Sequence, residues 1–379
     1  MIGLRMRASR SWLSRTGQQD RGGRCDRTDS GTERFRGPRR HRPSNRPSAD
    51  GWAESEARRR RQRRGGLGSL ACAALTPDQI RAEVAQIRVA TDAPFNLNFF
   101  CHAPAAADAG REAAWRSALT PYYEELGLDP AAPVTMANRA PFDDAMAEVV
   151  AELRPRVVSF HFGLPAEPLL RRVREAGCLI LSSATTVREA RWLAERGVDA
   201  VIAQGAEAGG HRGMFLTDAP ASQVGTIALV PQIVDAVDVP VIAAGGIAEP
   251  RGVAAAFALG AGAVQVGTAY LRCPEAGISA PYRAALNAAR DEDTALTNVL
   301  TGRPARGLLN RVVRELGPLS AAAPAFPGAA VALQPLRTAA EAQGSGDFSP
   351  LWSGQAVGLS RERPAAELTR LLATGVPSL

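Results

Sequence analysis

From Gly65 to the C-terminus, short apolar, β-branched runs alternate with longer stretches whose apolar residues recur every three or four positions. The runs "APFNLNFF" (93–100), "RVVSFHFG" (156–163), "CLILSSAT" (178–185), "DAVIAQG" (199–205), "VPVIAAGG" (239–246) and "GAVQVGTAYL" (262–271) predict strands. "GGLGSLACA" (65–73) predicts one more. Between them, "EPLLRRVREAG", "TVREARWLAERG" and "PRGVAAAFALGAG" predict helices that stop at glycine. Continuous apolar strands separated by amphipathic helices build a parallel sheet covered on its outside.

Seven such strands fit either an open doubly wound sheet or a (β/α)8 barrel. The polar and glycine residues favour the barrel. Asn98, His161, Gln204, Gly245-Gly246 and Gly267-Thr268 all fall at the C-terminal ends of strands. In a barrel these ends converge on one mouth, whereas in an open sheet only those at the switch point would. The expected fold is therefore α/β and TIM-barrel-like, lacking its first strand. Residues 102–145 and 272–345 are long excursions with helical pieces, of the kind that form a lid or substrate wall at the mouth.

Charge divides the chain at one point. Residues 1–64 hold 19 Arg against 7 acidic residues, while the rest holds 26 basic against 31 acidic residues. The excess positive charge of the 379-residue chain thus lies wholly in the head, which has little apolar periodicity and is expected to be disordered. A mildly acidic body argues against nucleic acid as a partner. No apolar run is long enough to span a bilayer, and the N-terminus lacks a signal-peptide core, so no membrane role is expected. The five cysteines, at 25, 72, 101, 178 and 273, have no C-x-x-C spacing. They suggest neither a metal site nor a disulfide framework, and a cytoplasmic location is the default.

Three stretches carry chemistry. In "AQGAEAGGHRG" (203–213) a strand ends at Gln204 and enters a loop with glycines at 205, 209, 210 and 213. Such a loop lets backbone N–H groups approach a flat or anionic ligand, and Gln204 suits a heterocycle edge that both donates and accepts. "AAGGIAEPRGV" (243–253) and "QVGTAYL" (265–271) each pass from strand through a small-residue turn to a helix start. Two such turns on successive final strands match the barrel phosphate site. His161, near the end of its strand, is the candidate general base. His211, on the glycine loop, reads as a loop or substrate contact.

Taken with "LWSGQAVGL" (351–359), the stretches "VVSFHFGLP", "AQGAEAGGHRG", "PVIAAGGIA" and "GAVQVGTAYL" resemble the nitronate monooxygenases, in order and spacing, from about Gly65 to the C-terminus. The resemblance implies a (β/α)8 barrel that binds FMN without a covalent link. Asn98, Gln204, Gly209, Gly246, Gln265, Val266, Gly267 and Thr268 would hold the FMN, and His161 matches the family's catalytic histidine. The implied reaction converts an alkyl nitronate and O2 into a carbonyl compound and nitrite. NAD(P)H-dependent FMN reductases, of the enoyl-acyl-carrier-protein or quinone type, carry similar glycine loops and are the nearest alternative. An inactive relic is another.

The family's first strand, of the type H-P-I-V-Q-A-P-M-A-G, is absent. In its place stand "PSNRPSADGW" and "AESEARRRRQRR". The genetic code offers an account. Read one base forward, "ADGW" can become Pro-Met-Ala-Gly, with the final glycine forced by the Trp52 and Ala53 codons. The run "RRRRQRR" can become Ala-Ala-Ala-Val-Ser-Asp-Ala, directly before Gly65. Residues 1–64 therefore read as an out-of-frame translation of the first βα unit, with a genuine Arg-rich extension as the alternative, and the chain as written is expected to bind FMN poorly or not at all.

Overall fold

All seven strands expected from the sequence form, in the expected order. The computed structural model describes residues 4–6, 66–106, 108–134 and 139–377. The remainder of the 1–64 head lies outside the described residues. The strands are β1 (Leu4–Met6), β2 (Gly68–Ala71), β3 (Phe95–Phe100), β4 (Val157–His161), β5 (Leu179–Ala184), β6 (Ala200–Gln204), β7 (Gly210–His211), β8 (Val241–Ala244), β9 (Ala263–Gln265), β10 (Thr294–Thr297) and β11 (Ala305–Leu308). The helices are α1 (Pro77–Ala90), α2 (Ala109–Glu125), α3 (Asp144–Leu153), α4 (Glu167–Glu175), α5 (Val187–Glu195), α6 (Thr226–Val234), α7 (Pro250–Ala258), α8 (Thr268–Leu271), α9 (Ala280–Ala288), α10 (Arg311–Leu316), α11 (Gly328–Ala342) and α12 (Ala365–Ala373).

The large sheet runs β1-β9-β8-β6-β5-β4-β3-β2. Each neighbouring pair from β2 to β9 is parallel. The two ends of this order do not pair with each other among the described residues. The sheet is thus a curled half-barrel of seven parallel strands, the TIM-barrel-like α/β architecture without, among the described residues, a first parallel strand. Within the head, Leu4–Met6 pair antiparallel with β9, Leu4 opposite Gln265. An uncovered last strand presents a row of free N–H and C=O groups, and β1 meets that row.

Alternation along each strand sends residues to opposite faces. Leu97, Phe99, Val158, Phe160, Ile180, Val201 and Ala203 face outward and pack with the apolar faces of the surrounding helices in one continuous core. Asn98, Phe100, His161, Gln204, Ala244 and Gln265 face the interior at the mouth. Below them Asn96 donates through Nδ2 to Ser69 Oγ (2.8 Å) and Ser159 Oγ (2.7 Å), while its Oδ1 is buried without a partner.

Two expectations need correction. "GAVQVGTAYL" does not continue as a strand beyond Gln265. Gly267 leaves the extended conformation (φ −111°, ψ −81°) and Thr268–Leu271 form a helical turn. The 272–345 excursion also contains two strands, β10 and β11, which make a small antiparallel sheet with β7 of the glycine loop. The stretches "TALT", "ARGL" and "GH" carry no continuous apolar run, and β7 pairs only because the chain brings the glycine loop beside β11. The helical pieces are as expected. α2 and α11 share a core of Trp115, Leu119, Tyr123, Leu333 and Leu336. Trp115 Nε1 donates to the Ala329 carbonyl (3.1 Å) and Tyr123 OH to that of Ala332 (2.5 Å), so the two excursions are tied together.

Candidate functional site

The strand ends open on a cavity of about 480 Å³. Asn98, His161, Gln204, Gly209, Gly246, Gln265, Gly267 and Thr268 all line it. Val266 does not: its side chain lies in the outer core, so only its backbone is available.

At the end of β4 the chain turns sharply. Phe162 has φ +70° and Gly163 φ +88°. A bulky residue in the left-handed region costs of order 1–3 kcal/mol and is found where surroundings force it. Here the turn places His161 under the glycine loop. Its Nε2 lies 3.1 Å from the His211 carbonyl and its Nδ1 3.0 Å from Ser183 Oγ. A carbonyl only accepts, so Nε2 carries the proton and Nδ1 accepts from the serine hydroxyl. Burial, with Arg303 and Arg212 adding to it, pushes His161 down to about 3. The imidazole is neutral and both its nitrogens are engaged.

His211 is placed differently. It lines the same cavity, and its Nε2 pairs with Thr301 Oγ1 (2.9 Å). Its Nδ1 makes no hydrogen bond with the described residues. Burial, then the neighbouring His161 and Arg139, holds its pKa well below the usual histidine value.

Gln204 is occupied by the loop it begins. Its Nε2 donates to the His211 carbonyl (2.9 Å) and its Oε1 accepts from the Gly213 N–H (2.7 Å), while its own carbonyl accepts from Arg212 (2.8 Å). Asn98 spends its amide hydrogens on Ser159 Oγ (2.8 Å) and the Ser159 carbonyl (3.1 Å), leaving Oδ1 to offer the cavity. Gly209 is a packing glycine. A Cβ there would stand 2.5 Å from Gly354 N and 2.6 Å from the Ser353 carbonyl carbon. Gly267 is the opposite case, with nothing within 4 Å of such a Cβ.

The turns at Gly245–Gly246 (φ +113° and +68°) and Gly267–Thr268 line one cavity, and the open space beside Gly267 is what an approaching phosphate requires. The residues present therefore fit a flavin, with Asn98 Oδ1 and half-buried Gln265 free to face it. Ala71, Ala73, Ala74 and Leu75, beside the edge of β2 that has no partner strand among the described residues, form part of the wall.

Several contributors were not legible in the sequence. Buried Glu189 accepts from Thr185 N (2.7 Å), Thr185 Oγ1 (2.8 Å), Phe215 N (2.7 Å) and Leu216 N (3.1 Å), anchoring the far end of the glycine loop. Glu207 accepts from Thr226 N (2.8 Å) and Thr226 Oγ1 (2.8 Å) at the start of α6. Arg306 Nε holds the Ala206 carbonyl (2.9 Å). Arg139 lines the cavity, and Arg303 stacks 4.0 Å from the Phe162 ring centroid. Only Ser183 gave a signal: it is a polar residue on the inward face just before the end of β5. Among the described residues no cluster of ligating side chains could hold a metal ion, and no helix is long and apolar enough to cross a membrane.

A profile of the nitronate monooxygenase family matches residues 62–375. A nitronate monooxygenase of Pseudomonas aeruginosa is 45% identical over 312 residues, covering 81% of this chain and 88% of that protein. The crystal structure of a nitroalkane oxidase from Streptomyces ansochromogenes superposes with a TM-score of 0.78 at 37% identity, covering 87% of this chain and 94% of that one. FabK from Thermotoga maritima superposes with a TM-score of 0.60 at 27% identity, covering 87% and 91%.

Proposed function

The chain belongs to the nitronate monooxygenase family of flavin-dependent oxidoreductases, and from that premise we propose how its own residues serve the oxidation of alkyl nitronates by O2 to carbonyl compounds and nitrite. The flavin is FMN. Backbone N–H groups at Gly245–Gly246 and Gly267–Thr268 hold its phosphate, and Asn98, Gln204, Gly209 and Gln265 hold the rest. Bound there, flavin supplies the electron and oxygen chemistry.

The substrate taken from solution is the nitronate anion. Arg139 lines the cavity, and buried Arg212 and half-buried Arg303 act on His161 from behind its wall, so a small anion is favoured there. His161 is the base only for the neutral nitroalkane. It can take a proton at Nδ1 once the Ser183 hydroxyl turns away, and the depressed pKa makes that step costly. The engagement of both His161 nitrogens carries this reading. His211 offers its open Nδ1 to the substrate and orients it.

The test compares ethyl nitronate with nitroethane. His161→Ala should slow nitroethane turnover about 10²–10⁴-fold, the usual size of a lost general base, and slow the nitronate far less. Equal losses on both substrates would defeat the assignment. NADH added without O2 should leave the flavin absorbance unchanged; rapid bleaching would favour the reductase reading.

A further inference from the structure

A second cavity, of about 420 Å³, opens beside the first. Its rim is exposed at Ala105, Arg111, Asp218 and Ala325, and its floor is made by buried His102 and Phe326 with half-buried Arg303. The Phe326 ring lies 4.8 Å from His102 on this side, and 5.3 Å from His211 and 6.3 Å from Phe100 on the other. One aromatic ring therefore stands between this funnel and the site already described.

Two polar atoms on the floor are buried and have no hydrogen-bond partner: Nδ1 of His102, a residue only 6% exposed, and Nε of Arg303. Arg303 is otherwise fixed, with Nη2 on the Met214 carbonyl and its guanidinium against Phe162. A buried N–H without an acceptor is expensive, and a guanidinium offers its donors in a fork that suits planar oxyanions. The neutral His102 Nδ1 likewise lacks a partner, and in the tautomer that carries the ring proton there it is a second donor toward an anion.

We propose that this cavity is a chamber for a small planar O–N–O oxyanion, held at Arg303 and His102, with Phe326 as the partition it passes to or from the reaction site. The identity of the anion rests on the nitronate reading: nitronate entering or nitrite leaving. The chamber's charge and its orphaned donor do not rest on it.

Sodium nitrite is the probe, titrated calorimetrically into the full-length chain without added flavin. Nitrite should bind the wild type, and Arg303→Gln should weaken it at least tenfold. Because Arg303→Gln can disturb the fold, Ala325→Trp serves as a second variant: it fills the funnel from an exposed position and should weaken nitrite to a similar degree. If the chamber serves entry, Ala325→Trp raises KM for ethyl nitronate while kcat holds. If it serves exit, product inhibition by nitrite weakens and KM holds. No binding to the wild type, or equal binding in all three proteins, overturns the chamber. Arg303-dependent nitrite binding in a protein that turns over no nitronate upholds the chamber and sinks the reaction assignment. Turnover with no Arg303-dependent binding does the reverse.

Discussion

Gly209 and Gly267 both match motif positions expected to touch FMN, yet their surroundings predict opposite consequences for the same added methyl. At Gly209 a Cβ meets backbone atoms of Ser353 and Gly354 at 2.5–2.6 Å, which no rotamer change can relieve. Overpacking of this kind costs about 1–3 kcal/mol. Gly209→Ala should therefore lower stability by that amount without any flavin present, a fall in Tm of about 2–4 °C for each kcal/mol. At Gly267 a Cβ meets nothing within 4 Å and φ is −111°, open to any residue. Gly267→Ala should leave stability unchanged or raise it by up to about 1 kcal/mol through the lost freedom of the unfolded chain. Its methyl would instead occupy the space where the phosphate is expected, so FMN affinity should fall. Urea melts of the flavin-free proteins measure the first effect, and quenching of FMN fluorescence on titration measures the second. Full FMN affinity in Gly267→Ala would refute the cradle at this turn. An unchanged urea midpoint in Gly209→Ala would refute the packing argument.

Other outcomes follow from the same contacts. His161 at about 3, His102 at about 4 and His211 well below the usual value are all depressed chiefly by burial. The unfolded chain takes up protons below about pH 6.5 and the folded one does not, so stability is full above that pH and is lost as pH falls toward 4. Urea midpoints should decline from pH 7 to 5, by up to about 1.4 kcal/mol per pH unit for each histidine; a flat profile would mean that these rings are not held neutral. Glu189→Ala strands three backbone donors and one hydroxyl and should cost at least about 3 kcal/mol, with FMN affinity falling too because the glycine loop loses its anchor; an unchanged melt would count against that role. A chain whose first 64 residues are retranslated one base forward should retain FMN through gel filtration better than the chain as given. Equal retention would show that the first βα unit is dispensable.

Periodicity alone determined the seven parallel strands and their helices, because a buried strand and an amphipathic helix each need a local apolar pattern to be stable at all. It also placed Asn98, His161, Gln204 and the two glycine turns at one mouth, since consecutive βα units deliver their strand ends to the same side. The small β7-β10-β11 sheet was not legible, because "GH", "TALT" and "ARGL" carry no continuous apolar run and pair only where the tertiary fold brings them together. Nor were the roles inside the site. Whether a glycine packs or makes room depends on tertiary neighbours: the backbone of Ser353 and Gly354 crosses Gly209, and nothing crosses Gly267. Whether His161 has a free lone pair depends on Ser183 and on the carbonyl of His211, which tertiary folding alone brings to its two nitrogens.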